Sequence, residues 1–179
     1  MDEMSETIRK NREISEKFSR IEASLASYTH AKDLLETVLM QLQYEFDIPF
    51  VWISMINRPD LDGLVRVLQS SNLMNDRVNL IDEDLFLNLV AGSTKPVLAN
   101  RDLQPFYRLF PKNKKYFIKS IAVAPITLHG RIIGSINHGD AANMRYEPDL
   151  DTSLLQQLVG SLSSCLSRLL PPDPVEANR

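Results

Sequence analysis

The sequence predicts a mixed α/β domain organised on an antiparallel sheet, and three stretches carry that prediction. Leu34, Leu35, Val38, Leu39, Leu42 and Phe46 recur at the spacing of one wide helical face. Two strand-like runs, residues 120–128 and 131–138, are separated only by His129 and Gly130, the length and composition of a two-residue hairpin turn. Leu150, Leu154, Leu155, Leu158, Val159, Leu162, Cys165, Leu166 and Leu169 then return to the helical period, and Pro171-Pro172 ends it. Helices before and after a sheet leave faces that only a layered α/β sandwich covers.

The chain divides into a helical arm (1–28), one domain (29–170) and a disordered tail (171–179). The arm has no Gly or Pro, and Thr7, Asn11, Ile14, Phe18, Ile21, Leu25 and Tyr28 follow each other by four and three residues. That is the seam of a coiled coil, on which a polar Asn11 fixes register. The stripe has two readings: a homodimer arm, favoured by its narrowness, or a helix folded back on its own domain.

Thr29 is placed to cap the second helix, and Asp47-Ile48-Pro49 ends it, because proline restricts its predecessor and lacks an amide hydrogen. Residues 50–56, rich in β-branched and aromatic side chains, read as a buried strand. Residues 57–63, with Pro59, Asp60 and Asp62, read as the turn of a hairpin into a second strand at 64–69. Asp82, Glu83 and Asp84 head a short helix, where the helix dipole favours negative charge, and Gly92 stops it. Residues 96–99 make a brief strand. Residues 102–110 carry Leu103, Phe106, Tyr107, Leu109 and Phe110, more large apolar groups than a loop needs unless it roofs a core or pocket. The hairpin at 120–138 forms the sheet's centre, residues 139–146 a polar loop, and Pro148 the first position of the closing helix, with Asp149 and Asp151 in its first turn.

Composition narrows the function classes. With 44% hydrophobic and 24% charged residues the chain has the makeup of a soluble globular protein. A net charge of −3 supplies no global positive field for a nucleic-acid backbone or an anionic membrane. The charged first residues lack the apolar core of a secretory signal, and no apolar run is long enough to span a bilayer, so a cytoplasmic location is expected. One cysteine, Cys165, allows neither an internal disulfide nor a thiolate metal cage.

Residues 120–126 (Ser-Ile-Ala-Val-Ala-Pro-Ile), Gly130, residues 133–136 (Ile-Gly-Ser-Ile) and the leucine-rich closing helix resemble a GAF domain. The resemblance implies a central antiparallel sheet with the first and last helices on one face and a small-molecule pocket under the middle segment on the other. Residues 11–18, 98–110, 120–126, 134–140 and 146–149 with Thr152 are more closely similar to the GAF-like bacterial domain-of-unknown-function family number four hundred and eighty-four, over nearly the whole chain. It implies a regulatory or accessory module and no particular ligand or cofactor. Gly134 to Asp140 departs from that pattern, because Asn137 and His138 stand where a more apolar strand is usual.

The chemistry-bearing residues point to binding. His30, His129 and His138 are scattered, with no helical pair and no nearby cysteine, so no metal site is expected. His138 reads as a histidine satisfied by neighbouring Asp140, and the carboxylate clusters at 60–62, 82–84 and 149–151 as caps and turns. No phosphate loop, nucleophile elbow or Ser/His/Asp set is present, so no catalytic residue is assigned. Cys165 lies on an apolar helix face and reads as a small buried hydrophobe. The resemblance adds that GAF-like reductases of free methionine sulfoxide use several cysteines and bilin-binding domains one beside the pocket; neither arrangement is found here. Candidate ligand-binding residues are Trp52, Phe86, Phe106, Tyr107, Ser120 and Asn137, which combine apolar walls with polar anchors. Arg108, Lys112, Lys114, Lys115 and Lys119 come without an intervening acid and, with Phe110, Tyr116 and Phe117, make either a solvated loop or a rim for an anionic ligand or acidic partner. Two functions fit: a dimeric sensory domain, or a ligand-free accessory module whose pocket its own side chains fill. An open cavity of a few hundred cubic ångströms beneath the lid would separate them.

Overall fold

Asp2 accepts a hydrogen bond from the Ser5 amide at 2.8 Å and starts helix α1, Glu3–Ser24. The computed structural model describes residues 2–111, 114 and 117–172, so part of the basic loop (Lys112, Lys115 and Tyr116) and most of the expected tail lie outside the described residues. After α1 come α2 (Ala31–Phe46), β1 (Phe50–Ile56), α3 (Asp62–Gln69), β2 (Val78–Ile81), α4 (Glu83–Leu89), β3 (Val97–Ala99), β4 (Ser120–Leu128), β5 (Arg131–Asp140) and α5 (Ser153–Leu169). A 3-10 turn at Gln104–Leu109 forms the lid segment between β3 and β4.

The strands form one five-stranded sheet in the order β2-β1-β5-β4-β3. β5 is its middle strand, antiparallel to both β1 and β4. His129 and Gly130 both adopt positive φ, 52° and 80°, which a two-residue hairpin turn requires and glycine allows without strain. The turn is held to the end of α5, where Ser167 Oγ accepts the His129 amide at 3.0 Å.

The second strand departs from expectation. Residues 62–69 are helical, and β2 lies at 78–81, running parallel to β1 rather than returning in a hairpin. Leu61, Val65 and Leu68 are buried while Val67 is exposed, a helical spacing that outweighs the β-branched character of so short a run. A helix between two strands carries the chain back across the sheet, and the next strand is then parallel. The sheet is therefore mixed at this edge and antiparallel elsewhere.

Two helix starts also shift. His30, not Thr29, occupies the cap of α2, and the Thr29 hydroxyl lies 3.1 Å from His30 Nδ1. α5 begins at Ser153, five residues beyond Pro148; Asp151 meets it there, accepting the Ser153 amide at 2.8 Å. The polar loop starts later than expected because β5 continues through Gly139 and Asp140.

α1, α2 and α5 pack as one layer on the sheet. Ile21 and Leu25 are buried, Phe18 meets Phe46 with ring centroids 4.7 Å apart, and Glu22 accepts hydrogen bonds from Ser161 at 2.7 Å and Gln157 at 3.2 Å. The lower half of the heptad stripe is thus covered by its own chain. Met4 and Ile8 stay exposed, at 73% and 54%, on a stretch held mainly by the Arg9 pairs to Glu6 and Glu13. Ile21→Ala should cost roughly 2–4 kcal/mol in urea unfolding, against less than about 0.5 for Ile8→Ala. Equal losses would contradict the packing described.

Gly134 sits opposite Met55, and a Cβ on it would lie 2.0 Å from the Ser54 carbonyl oxygen. That atom is backbone inside a paired sheet and cannot step aside. Gly134→Ala should lower stability by about 3 kcal/mol in denaturant melts.

Candidate functional site

Strand alternation sorts the sheet's side chains into two sets. Trp52 and Ser54 of β1 pair with Asn137 and Ser135 of β5 and face the lid; Val51, Ile53, Ile136, His138 and Ala122 face the helices. Ser120 pairs with Asp140 and shares the helix side with Ala122, so it cannot join Asn137 in one pocket. Its hydroxyl instead donates to the Ala142 carbonyl at 2.7 Å.

The lid face holds a chain of polar side chains that crosses three strands. Ser135 Oγ donates to Asn137 Oδ1 at 2.7 Å, Asn137 Nδ2 to Ser54 Oγ at 2.8 Å, and Ser54 Oγ to Asn79 Oδ1. Asn79 Nδ2 completes it by donating to the Arg108 carbonyl of the lid at 2.8 Å. Next to it, Trp52 Nε1 donates to the Leu109 carbonyl at 2.6 Å, and its ring meets Phe110 edge-on at 6.2 Å. The last carbonyls of a helical turn have no partners within it, and these two donors supply them. The lid is therefore hydrogen-bonded to the sheet as well as packed on it.

Outside that seam, a cleft of about 660 Å³ opens between β2, the end of the lid and Lys114, with Trp52 and Phe110 in its wall. Arg77, Arg108 and Lys114 border it together with one carboxylate, Asp76. Among the described residues no carboxylate pairs with Arg108 or Lys114; Lys114 Nζ stands over the Phe50 and Phe117 rings at 5.6 and 6.0 Å. Arg77 donates to Gln43 Oε1 at 2.7 Å, a neutral partner that leaves its charge in place. A concavity of about 570 Å³ runs along α5, where the hydroxyl of Ser163 accepts the Thr127 amide and that of Ser167 the His129 amide.

The candidate residues thus separate. Trp52, Arg108 and Lys114 meet at the cleft. Asn137 lies behind it in the polar chain, and Phe86, fully buried, belongs to the core. Phe106 packs against the core edge, and Tyr107 is 40% exposed beside Phe110, their centroids 5.4 Å apart. Lys119 is exposed and its amide donates to the Asp140 carbonyl; it does not border the cleft. Cys165 is half-buried on the helix side. Ser54, Asn79, Ser135 and Arg77 went unrecognised. Ser54, Asn79 and Ser135 leave one signal, a polar residue inside an otherwise apolar strand, whereas Arg77 lies ahead of β2 and leaves none.

His138 does not pair with Asp140 as expected. The Asp140 carboxylate accepts the Ala142 amide at 2.9 Å and Arg145 at 3.0 Å, and His138 Nε2, buried, has no hydrogen-bond partner. Burial, helped by the positive charge of Arg145, lowers its pKa from 6.5 to about 4. The unfolded chain therefore takes up a proton here that the folded chain does not. Stability from this group is fully present above pH 6.5 and falls as pH drops toward 4, by on the order of 3 kcal/mol. In urea unfolding the difference between wild type and His138→Leu should shift by that amount from pH 7 to pH 4, against wild type; a difference constant with pH would contradict it.

No protein-family profile and no curated protein matches the sequence. Solved structures do. The chain is similar to a free methionine-R-sulfoxide reductase from Neisseria meningitidis in complex with its substrate, at 17% identity and a TM-score of 0.56, over 84% of this chain and 87% of that one. It is similar to the phycoerythrobilin-bound GAF domain of a cyanobacterial phytochrome, at 14% identity and a TM-score of 0.59, over 86% and 94%. A far-red cyanobacteriochrome photoreceptor matches at 18% identity and a TM-score of 0.51, over 92% and 98%. With a five-stranded sheet, helices at both ends and these neighbours, the chain has the GAF-like fold.

Proposed function

We propose that this chain is a non-catalytic sensory or regulatory domain that takes a small anionic ligand in the lid cleft, acting in the cytoplasm as a homodimer joined through the exposed part of α1. The carrying observation is the convergence of Arg77, Arg108 and Lys114 on a cleft of about 660 Å³ walled by Trp52 and Phe110. That size lies within the roughly 300–1,000 Å³ of small-molecule sites, and the aromatic walls suit a flat ligand with a negative group. Exposed Met4 and Ile8 supply apolar surface for pairing two arms. Similarity to the GAF-like bacterial family noted above fits the same regulatory role.

A second reading, an accessory module without ligand, is favoured by one feature: Trp52, Phe86 and Asn137 are buried, so the inner part of the lid face is filled by the protein itself. Titration with naphthalene-2-sulfonate, an aromatic anion, separates the two. The sensory reading expects saturable binding that weakens with salt and falls about tenfold or more in Arg108→Glu/Lys114→Glu, equivalent to about 1.4 kcal/mol. Absence of binding by a folded chain would favour the accessory module, and equal affinity in the double variant would remove the cleft as the site.

A further inference from the structure

On the opposite side of the sheet a smaller cavity of about 240 Å³ lies where α1 crosses the ends of β4 and β5. Phe18, Phe46, Leu98 and Leu155 form its walls and Ala122 and His138 its sheet side. His138 is only 4% exposed, and its Nε2 has no hydrogen-bond partner; the Tyr146 hydroxyl, from the loop after β5, lies beside the Arg145 guanidinium without a well-directed hydrogen bond. Buried polar atoms are nearly always satisfied, so two orphans on one cavity call for a partner outside the chain. The charged groups at the mouth are already engaged. Arg145 donates to the Phe46 and Asp47 carbonyls and to Asp140, and Asp151 accepts from Ser153. Burial keeps the His138 imidazole neutral at pH 7 and the Tyr146 phenol protonated. No free charge remains to hold an ion, whereas the apolar walls and the two unsatisfied polar atoms behind them remain.

We infer that this cavity is a binding site for a small uncharged, mostly apolar molecule bearing one hydroxyl, carbonyl or N–H group, which hydrogen-bonds to His138 Nε2 and the Tyr146 hydroxyl. Its volume is below that of drug-sized sites, which limits the ligand to a single ring or a short chain. Ile14 and Phe18 place α1 in the wall of this site, so an occupant touches the helix that continues into the exposed arm. The inference stands apart from the proposed anion cleft, which lies on the other face of the sheet.

The test is NMR titration of the full, isotope-labelled chain with 4-methylphenol, indole and cyclohexanol as probes. The expected result is saturable binding of at least one probe, with a Kd of about 1 mM or tighter and shifts centred on Phe18, Ala122 and His138. Tyr146→Phe, which removes only the hydroxyl, and His138→Phe should each weaken it about tenfold. Tyr146 lies in a surface loop, so its variant keeps the test valid if the His138 variant folds poorly. Absence of saturation by all three probes, shifts centred on Trp52 instead, or an unchanged Kd in Tyr146→Phe would overturn the inference.

Discussion

Four side-chain hydrogen bonds on the lid face, buried at Ser135 and Asn137 and reaching the surface at Asn79, run from Ser135 through Asn137 and Ser54 to Asn79 and the Arg108 carbonyl and constrain how this sheet can be assembled. Each donor points the same way, from the central strand toward the lid, so the buried bonds at Ser135 and Asn137 polarise one another. A polar group left unpaired there costs about 1–3 kcal/mol. Sliding β5 past β1 by one residue would turn Asn137 and Ser135 into the helix layer and take from Ser54 the hydrogen bond that Asn137 donates. The chain thus fixes register where apolar packing alone would tolerate error. It also determines where the lid ends, and therefore where the cleft begins.

Successive residues of β5 serve opposite sides of the molecule. Asn137 belongs to the lid face, and His138 to the cavity beneath α1. Under the proposed function, an event at the lid and an event at the arm share this strand, one residue apart. Phe18 and Ile21, with Leu25 just past its end, hold the lower half of α1 to the domain, while Met4 and Ile8 stand free of it. One helix thus carries both an intramolecular anchor and an outward apolar surface. The single cysteine, Cys165, lies in α5 on the helix side and takes no part in the lid cleft.

Elements with a strong, uninterrupted period were legible in the sequence. The wide apolar face of α2, the β-branched run of β1 and the His129-Gly130 turn each carry their structure locally, because one periodicity dominates across the segment. Residues 62–69 form a helix where the sequence suggests a strand, because the two share composition at that length and only burial of Leu61, Val65 and Leu68 decides. The start of α5 was misplaced since Pro148 and the acids after it satisfy a capping pattern that the chain uses only in part, at Asp151. At the site, Trp52, Arg108 and Lys114 could be named from residue type, whereas Ser120 was grouped with Asn137 because strand parity across a hairpin depends on register. His138 was given Asp140 as its partner; which neighbour a carboxylate takes is decided by the loop carrying Arg145, not by distance in sequence.

The lid and the central strand are linked through Ser54 and Asn79. A double-mutant cycle of Asn79→Ala and Asn137→Ala, measured by urea unfolding at pH 7, tests it directly. The two residues are joined through one hydroxyl, so their combined loss should differ from the sum of the single losses by about 1 kcal/mol. Additivity within about 0.3 kcal/mol would show that the two asparagines act independently and would contradict the account.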